Sequence, residues 1–544
     1  MTDADFVGLD RVTSSTARSF IDIGARAINK LIDTDNLMLR LYVMKPEDVD
    51  MDAAETMMQI NTVVGSDGYD ANKAYYAQEG SSFAYPMQSL QDALDYIFAA
   101  RAIKSDGTLA IADANNMPFE ICVAKGTYYL SRDIHGTYGY SLDNTFLLPE
   151  GVSLMGGFGG RRAVDDKGTI YTDKNYYGRY LTKGTIQPLG TGAYSLADNT
   201  TPVSSYSVTI TGTNGTYTIR QLPLSTMLKY RQHTDINANN IIEPWEFTNQ
   251  TVLSGDVNNV GNEGVLHVVS VFADQTMQGA LPYRSVDRSS SYQSTGDDYG
   301  YTSYEDGQPI VLDGLTITGG YARHYVSGSI SDYEKFFYYH GGGMIVDGSR
   351  YCDAYNKGGE AVSEYKHKNL ANAIAYRNIP IIVDKCKFED NHGGYGGAIS
   401  TNAILTVFNS TFEHNIAESG VDKDVDFGDK LYEVPYPGHG GAIYSTIGLS
   451  AFNTIFANNE AYAAMLDINP RSFYSLRSRT EGTSGFTPPA ALGGCGGAVY
   501  VGRRGFFHMV NCNFVKNQAN AYPAVFTMNP NKEPVESMAS IQYN

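Results

Sequence analysis

The sequence predicts an all-β protein built as a parallel β-helix, and two recurrences carry the prediction. Four segments share a Gly-Gly-small-apolar unit: Gly341-Gly342-Gly343-Met344, Gly396-Gly397-Ala398-Ile399, Gly440-Gly441-Ala442-Ile443 and Gly496-Gly497-Ala498-Val499. Four share Phe-x-x-Asn: Phe388/Asn391, Phe412/Asn415, Phe456/Asn459 and Phe514/Asn517. The Phe-to-Phe spacings are 24, 44 and 58 residues. The first is about one coil of a β-solenoid, and the others fit one coil plus insertions near 418–437 and 462–494.

A stack of coils accounts for each recurring residue. The short strands of one coil pair with the coils before and after it, so no coil is stable alone. Phe at a fixed register forms an interior ring stack, and Asn three residues on forms a ladder of amides bonding from coil to coil. The Gly-Gly unit suits a tight bend where a Cβ would clash. Two residues before each Phe stand Cys386, Ser410, Thr454 and Cys512. All are small, so this position packs inward and its two cysteines are expected to be inert core thiols.

Taken from the N-terminus, residues 1–75 differ in texture from the rest, with helical spacing and few glycines, and form a small, partly helical region of unknown role. The β-helix with its insertions spans 76–544. Met87, Leu90, Leu94, Ile97 and Phe98 recur at helical spacing within 86–100, which predicts one amphipathic capping helix. Short β-type runs bounded by glycine follow at 119–124, 145–148 and 152–155. Two insertions follow the same Asn position in their coils, so both should leave the stack on one side. The end of a coil stack exposes strand edges, which suits a partner subunit or a further chain there.

The chain has 544 residues and a net charge of −19, from 40 Lys+Arg against 59 Asp+Glu. Nucleic acid and anionic membrane surfaces both call for a basic footprint, which this balance lacks. Charged residues are 18% of the chain, below the roughly 25% of ordinary domains. Tyr is abundant, at 41, against a single Trp. Cys122, Cys352, Cys386, Cys495 and Cys512 show neither a zinc spacing nor a disulfide framework. No apolar run reaches the length of a membrane span, and the N-terminus, MTDADFVGLD, lacks the regions of a secretory signal.

Residues 341–517 resemble the Gly-Gly-Ala-Ile and Phe-x-x-Asn repeats of polymorphic outer-membrane proteins and related right-handed β-helix proteins. Gly80-Ser81-Ser82-Phe83, Leu90-Gln91-Asp92-Ala93 and Val123-Ala124-Lys125-Gly126-Thr127-Tyr128 come in an order similar to large surface proteins of Bacteroidetes-type bacteria. Residues 151–158, Leu253-Ser254-Gly255-Asp256 and residues 312–320 continue it. The resemblance covers about residues 76–530 and implies a right-handed, pectin-lyase-like fold on a cell surface, mostly without an assigned reaction.

The sharpest local motif is Asp235-Ile236-Asn237-Ala238-Asn239-Asn240-Ile241-Ile242-Glu243-Pro244-Trp245-Glu246. Read as a 12-residue calcium loop, it offers oxygens from Asp235, Asn237, Asn239, Glu243 and Glu246, with the Ile241 carbonyl at position 7. Asn240 replaces the usual Gly at position 6 and tolerates the left-handed conformation. Residues 225–233 have the spacing of an entering helix, and the insertion runs over about 220–250. The competing reading is a polar turn that matches the pattern by chance. A second cluster, Asp422, Asp424, Asp426 and Asp429, reads better as a solvated acidic loop, because Phe427 occupies the position of the sharp turn.

Other candidates carry less chemistry. His340, Tyr395, His439 and Cys495 precede the four Gly-Gly units and would line up one coil apart, beside the bends. Gly438-His439-Gly440 resembles an element of polygalacturonases, but the paired Asp residues that those hydrolases use have no counterpart near this register. Arg503, Arg504 and Lys516 are basic, as a polysaccharide lyase needs, yet nothing converges them on an acidic cluster. Tyr-rich stretches at 292–304, 333–339 and 351–376 suit stacking on sugars or protein contact, or plain cover for coil edges. The sequence thus favours a surface protein for adhesion or glycan or protein binding, with structural Ca2+ and no assigned catalytic residue. The alternative is a polysaccharide lyase or glycoside hydrolase using a groove of the helix.

Overall fold

The structure, a computed structural model, describes residues 40–49, 80, 83, 86–100, 118–132, 142, 144–160, 187–188, 207–212, 215–220, 231, 233–256, 264–272, 305–306, 309–322, 339–347, 349–351, 375–418, 438–446, 448–462, 494–502, 506–519, 522–527 and 540–542. The described chain is mostly β, and four parallel sheets of nine, seven, seven and five strands dominate it. This arrangement is compatible with a β-helix.

One coil shows the plan. Ile381–Asp384 lies in the nine-stranded sheet, Lys387–Glu389 in one seven-stranded sheet, His392–Gly393 in the five-stranded sheet and Ile399–Thr401 in the other seven-stranded sheet. Ile404–Phe408 then returns to the nine-stranded sheet, parallel to and in register with Ile381–Asp384. Each strand therefore meets its counterpart one coil away, and the sheets grow along the stack.

The interior follows the predicted register. Phe388, Phe412, Phe456 and Phe514 are register partners. Their successive ring centroids lie 5.1 Å apart with planes within 13° of each other. The first three are fully buried, and each such burial stabilises by about 1.5–3 kcal/mol before stacking adds its share. The Asn ladder is present as well. Asn391 Nδ2 donates to Asn415 Oδ1 at 3.1 Å, Asn415 Nδ2 to Asn459 Oδ1 at 3.0 Å, and Asn459 Nδ2 to Asn517 Oδ1 at 2.9 Å. Each of these amides also donates to the main-chain carbonyl of a residue on the coil before, as Asn415 does to Phe388. Cys386 is buried in the core and burial pushes its thiol up to about 12; Cys512, less covered, is packed against the same core.

The N-terminal helix begins later than its apolar spacing predicts, spanning Leu90–Ala100. The reason is local: Ser89 Oγ accepts the Asp92 N–H at 3.2 Å and acts as the cap, while Met87 is taken by backbone bonds to Tyr42 and Met44. The helix packs on Arg40–Val43, Phe119–Ala124 and Phe146–Leu147, and Leu90, Leu94, Ile97 and Phe98 are buried. Arg40–Val43 lies within the stretch 1–75 that the sequence sets apart. It is nevertheless the edge strand of the nine-stranded sheet, paired with Phe119–Ala124, and Arg40 forms a buried ion pair with Glu120. The remainder of 1–75, apart from residues 44–49, lies outside the described residues.

Candidate cation-binding loop and the row beside the glycine bends

The loop Asp235–Glu246 projects from the side of the stack, between an isolated bridge at Arg231 and the strand Thr251–Ser254. Its base is closed by an antiparallel bridge between His233 and Phe247 and by the Thr234 N–H donating to the Glu246 carbonyl at 2.9 Å. The helix expected over 225–233 is corrected at its described end. Arg231 and His233 are bridge residues, Arg231 pairing with Phe158, because the Arg231 side chain is drawn into the sheet turn instead of standing on a helix. Residues 221–230 lie outside the described residues.

Within the loop, hydrogen bonds tie the side chains of Asp235, Asn237, Asn239, Glu243 and Glu246 to one another and to the loop backbone. Asp235 accepts the N–H groups of Asn239 at 3.2 Å and Asn240 at 3.0 Å, and the Asn237 side chain accepts Asn239 N–H at 3.1 Å. Asn240 takes φ +61°, the left-handed turn that position 6 demands. The amides of Asn237 and Asn239 donate to Glu243 Oε1 at 3.2 and 2.7 Å. Ile241 donates its N–H to Asn239 Oδ1 at 2.7 Å. Glu246 accepts the N–H of Ile236 at 2.7 Å and of Glu243 at 3.1 Å, making a capping box with Glu243 around the turn Pro244–Glu246.

The electrostatics are asymmetric. Burial pushes the Glu243 carboxyl above its ordinary value of 4.5, with the Glu246 charge adding to the rise despite the Asn239 and Asn237 bonds. Burial pushes Glu246 the same way, but the N–H groups of Glu243 and Ile236 outweigh it and hold this carboxyl below 4.5. Glu243 is 8% exposed, and its carboxyl lies against that of Glu246. Two carboxylates held against each other are costly unless a proton or a cation lies between them. Among the described residues no three His, Cys, Asp or Glu side chains form a ready cage, so a cation here would draw on a mixed set of carboxylate, amide and carbonyl oxygens. That donor chemistry, with the paired carboxyls of Glu243 and Glu246, fits a hard cation such as Ca2+.

The residues before the Gly-Gly units do line up. Isolated parallel bridges join His340 to Tyr395, Tyr395 to His439 and His439 to Cys495. His340 stacks on Tyr395 at 4.6 Å, and His439 on Tyr500 at 4.4 Å. A second file, Tyr444, Tyr500 and Phe526, stacks beside the first at 5.1 and 5.0 Å. Ring faces are thus largely occupied by neighbouring rings. Burial pushes His340 down to about 3, with His267 adding to the fall, and His439 down to about 4. His340 Nδ1 lies 2.8 Å from Ser400 Oγ, and Cys495 N–H donates to His439 Nδ1 at 3.2 Å. Neutral, ring-stacked imidazoles whose Nδ1 atoms are hydrogen-bonded fit a packing row.

Sequence reasoning missed the second Asn ladder, Asn409, Asn453 and Asn511, linked at 3.2 and 2.8 Å. These residues stand three before each Phe and share φ between +46° and +53°. That regular placement was the available signal; Lys385, at the same place in the first coil, obscures it. The Asp422–Asp429 cluster, Arg503, Arg504, Cys352 and most of the Tyr-rich stretches lie outside the described residues, while Lys516 is exposed on a turn with φ +52°. Comparison with protein-family models, curated proteins and solved structures finds no match. The resemblance to polymorphic outer-membrane proteins therefore rests on the motifs quoted above.

Proposed function

We propose that this chain is a right-handed, pectin-lyase-like parallel β-helix that acts at an extracellular or outer-membrane surface. It binds a glycan or protein ligand through its insertions, and Ca2+ in the loop Asp235–Glu246 serves structure. The hand follows from the strong preference of parallel crossovers for right-handed connection. The observation that carries the binding reading is the placement of the insertions. Residues 323–338, 419–437 and 463–493 all interrupt the coil at one place, after Tyr321–Ala322, Ile416–Glu418 and Glu460–Tyr462, which belong to one sheet. Long insertions that leave a regular stack at one recurring point suit the way repeat scaffolds present binding surfaces. A partner subunit or a further stretch of chain covers the region of Val515 and Tyr522, which are 45% and 56% exposed.

The uninserted coil supplies the control, since Gly393-Gly394-Tyr395 makes the same connection directly. Excising 418–437 and 462–493 joins Ala417 to Gly438 and Ala461 to Gly494 in that pattern. The expected outcome is an intact stack that no longer binds the neutral and acidic glycans or surface proteins retained by the full chain on an immobilised panel. Undiminished binding by the excised chain, or none by the full chain, refutes the reading. Release of reducing or unsaturated ends from the panel would establish the hydrolase or lyase in its place.

A further inference from the structure

Resting on the cation reading, a second feature of the same loop points to what the ion does. Two side chains flank the loop, and both lie in notches of the stack. Arg231 donates to Asp313 through both terminal nitrogens at 3.0 Å, and its guanidinium faces the Phe247 ring at 4.6 Å. Both are buried, at 4% and 6% exposure. The notches exist because two glycines lack a side chain. A Cβ on Gly314 would lie 1.8 Å from the Arg231 guanidinium, and one on Gly157 would lie 2.9 Å from the Phe247 ring. Gly157 belongs to Val152–Phe158, and Gly314 follows Ile310–Asp313, the next strand of the nine-stranded sheet.

We propose that the loop is a clamp: a divalent cation held by Asp235, Asn237, Asn239, Ile241, Glu243 and Glu246 seats Arg231 and Phe247 in these notches, locking two neighbouring coils together. The physical link is loop closure. Residues 233 and 247 must lie side by side for the oxygens to converge, and the same juxtaposition puts Phe247 under the Arg231 guanidinium. A cation that binds only the closed loop stabilises the seated state. Conversely, weakening the seat lowers the fraction of closed loop and the apparent affinity with it, by the same factor.

The chain has one tryptophan, Trp245, at loop position 11 and 44% exposed, so its fluorescence reports the loop in the full-length protein. Titration with Ca2+ should saturate in the wild type and be abolished in Glu246→Gln. Asp313→Asn and Phe247→Leu supply no oxygen to the ion, yet each should raise the half-saturating Ca2+ concentration by about tenfold. Circular dichroism identifies variants that fold; if Asp313→Asn leaves Arg231 unpaired and does not, Phe247→Leu decides. Wild-type affinity in the folded seat variants, with Glu246→Gln dead, overturns the clamp and leaves the cation site standing. No titration in the wild type, by fluorescence and by calorimetry, removes both.

Discussion

At the scale of single residues, the stack sorts polar side chains by whether their bonds can be repeated. Asn serves because one amide both donates and accepts, so Asn415 satisfies the coil on each side and is fully buried without penalty. Histidine is a weaker choice, since its charge state can change. His439 is 5% exposed and burial holds it neutral down to about pH 4, whereas in the unfolded chain it takes a proton near 6.5. Its folded value is depressed, so as pH falls from about 6.5 towards 4 the unfolded state binds the extra proton and stability is lost. The limit is about 1.4 kcal/mol per pH unit. His439→Tyr repeats the residue that Tyr395 supplies one coil away and removes the titration. Urea unfolding at pH 7.5 and 4.5 should show the variant losing about 2 kcal/mol less than the wild type over that interval. Equal losses in the two proteins would show that His439 does not bear on acid stability. The Phe and Asn files were legible in the sequence because a register in a parallel stack forces identical residues to identical environments. The role of Arg231 was not, since a helical spacing in 225–233 says nothing of a carboxylate at Asp313, brought close only by folding.

At the scale of the element, the Gly-Gly bend divides its work between two conformational demands. Gly440, the first glycine, takes φ +68°, and the second, Gly441, has no room for a side chain. A Cβ on Gly441 would lie 2.0 Å from the Gly497 carbonyl and 2.6 Å from that of Glu460, both backbone atoms of the stack. Neither can swing away, so Gly441→Ala should cost about 3 kcal/mol by overpacking. Gly502→Ala, where the nearest atoms are 3.4 Å away, should change stability by less than about 0.5 kcal/mol in the same denaturation experiment. Comparable costs at the two sites would mean that the bend is compliant. The motif announced these bends because the glycines recur beside an apolar residue. The helix boundary was less legible, since apolar spacing alone cannot distinguish Met87, held by the neighbouring strand, from Leu90, the first residue after the Ser89 cap. The cation loop's donor pattern was readable by spacing, but the meeting of the Glu243 and Glu246 carboxyls emerges only when the loop closes.

At the scale of the whole molecule, the repeat makes stability approximately a sum over neighbouring coils. The coils carrying Phe388, Phe412 and Phe456 share the inward Phe, the Asn three residues on and a following glycine bend, so a coil can be removed without changing the chemistry of the joint. Asp384 and Phe408 are register partners, and the corresponding asparagines Asn391 and Asn415 are 24 residues apart. Deleting residues 385–408 removes 24 residues and joins Asp384 to Asn409. Phe412 then falls over Ile317, and Asn415 takes the place of Asn391, whose Oδ1 accepts the Gly320 N–H and whose Nδ2 donates to the Ile317 carbonyl. A deletion of 385–396 shifts the same downstream residues by half a coil. Phe412 would then face a turn, and the glycine bends would meet strands. The whole-coil deletion should give a soluble, cooperatively unfolding protein with the β circular dichroism of the parent and a lower thermal midpoint, because one interface's worth of stacking is lost. The half-coil deletion should fail to fold. Equal tolerance of both deletions would mean that the coils do not hold one another in register, and would remove the physical basis for reading the recurrences as a stack.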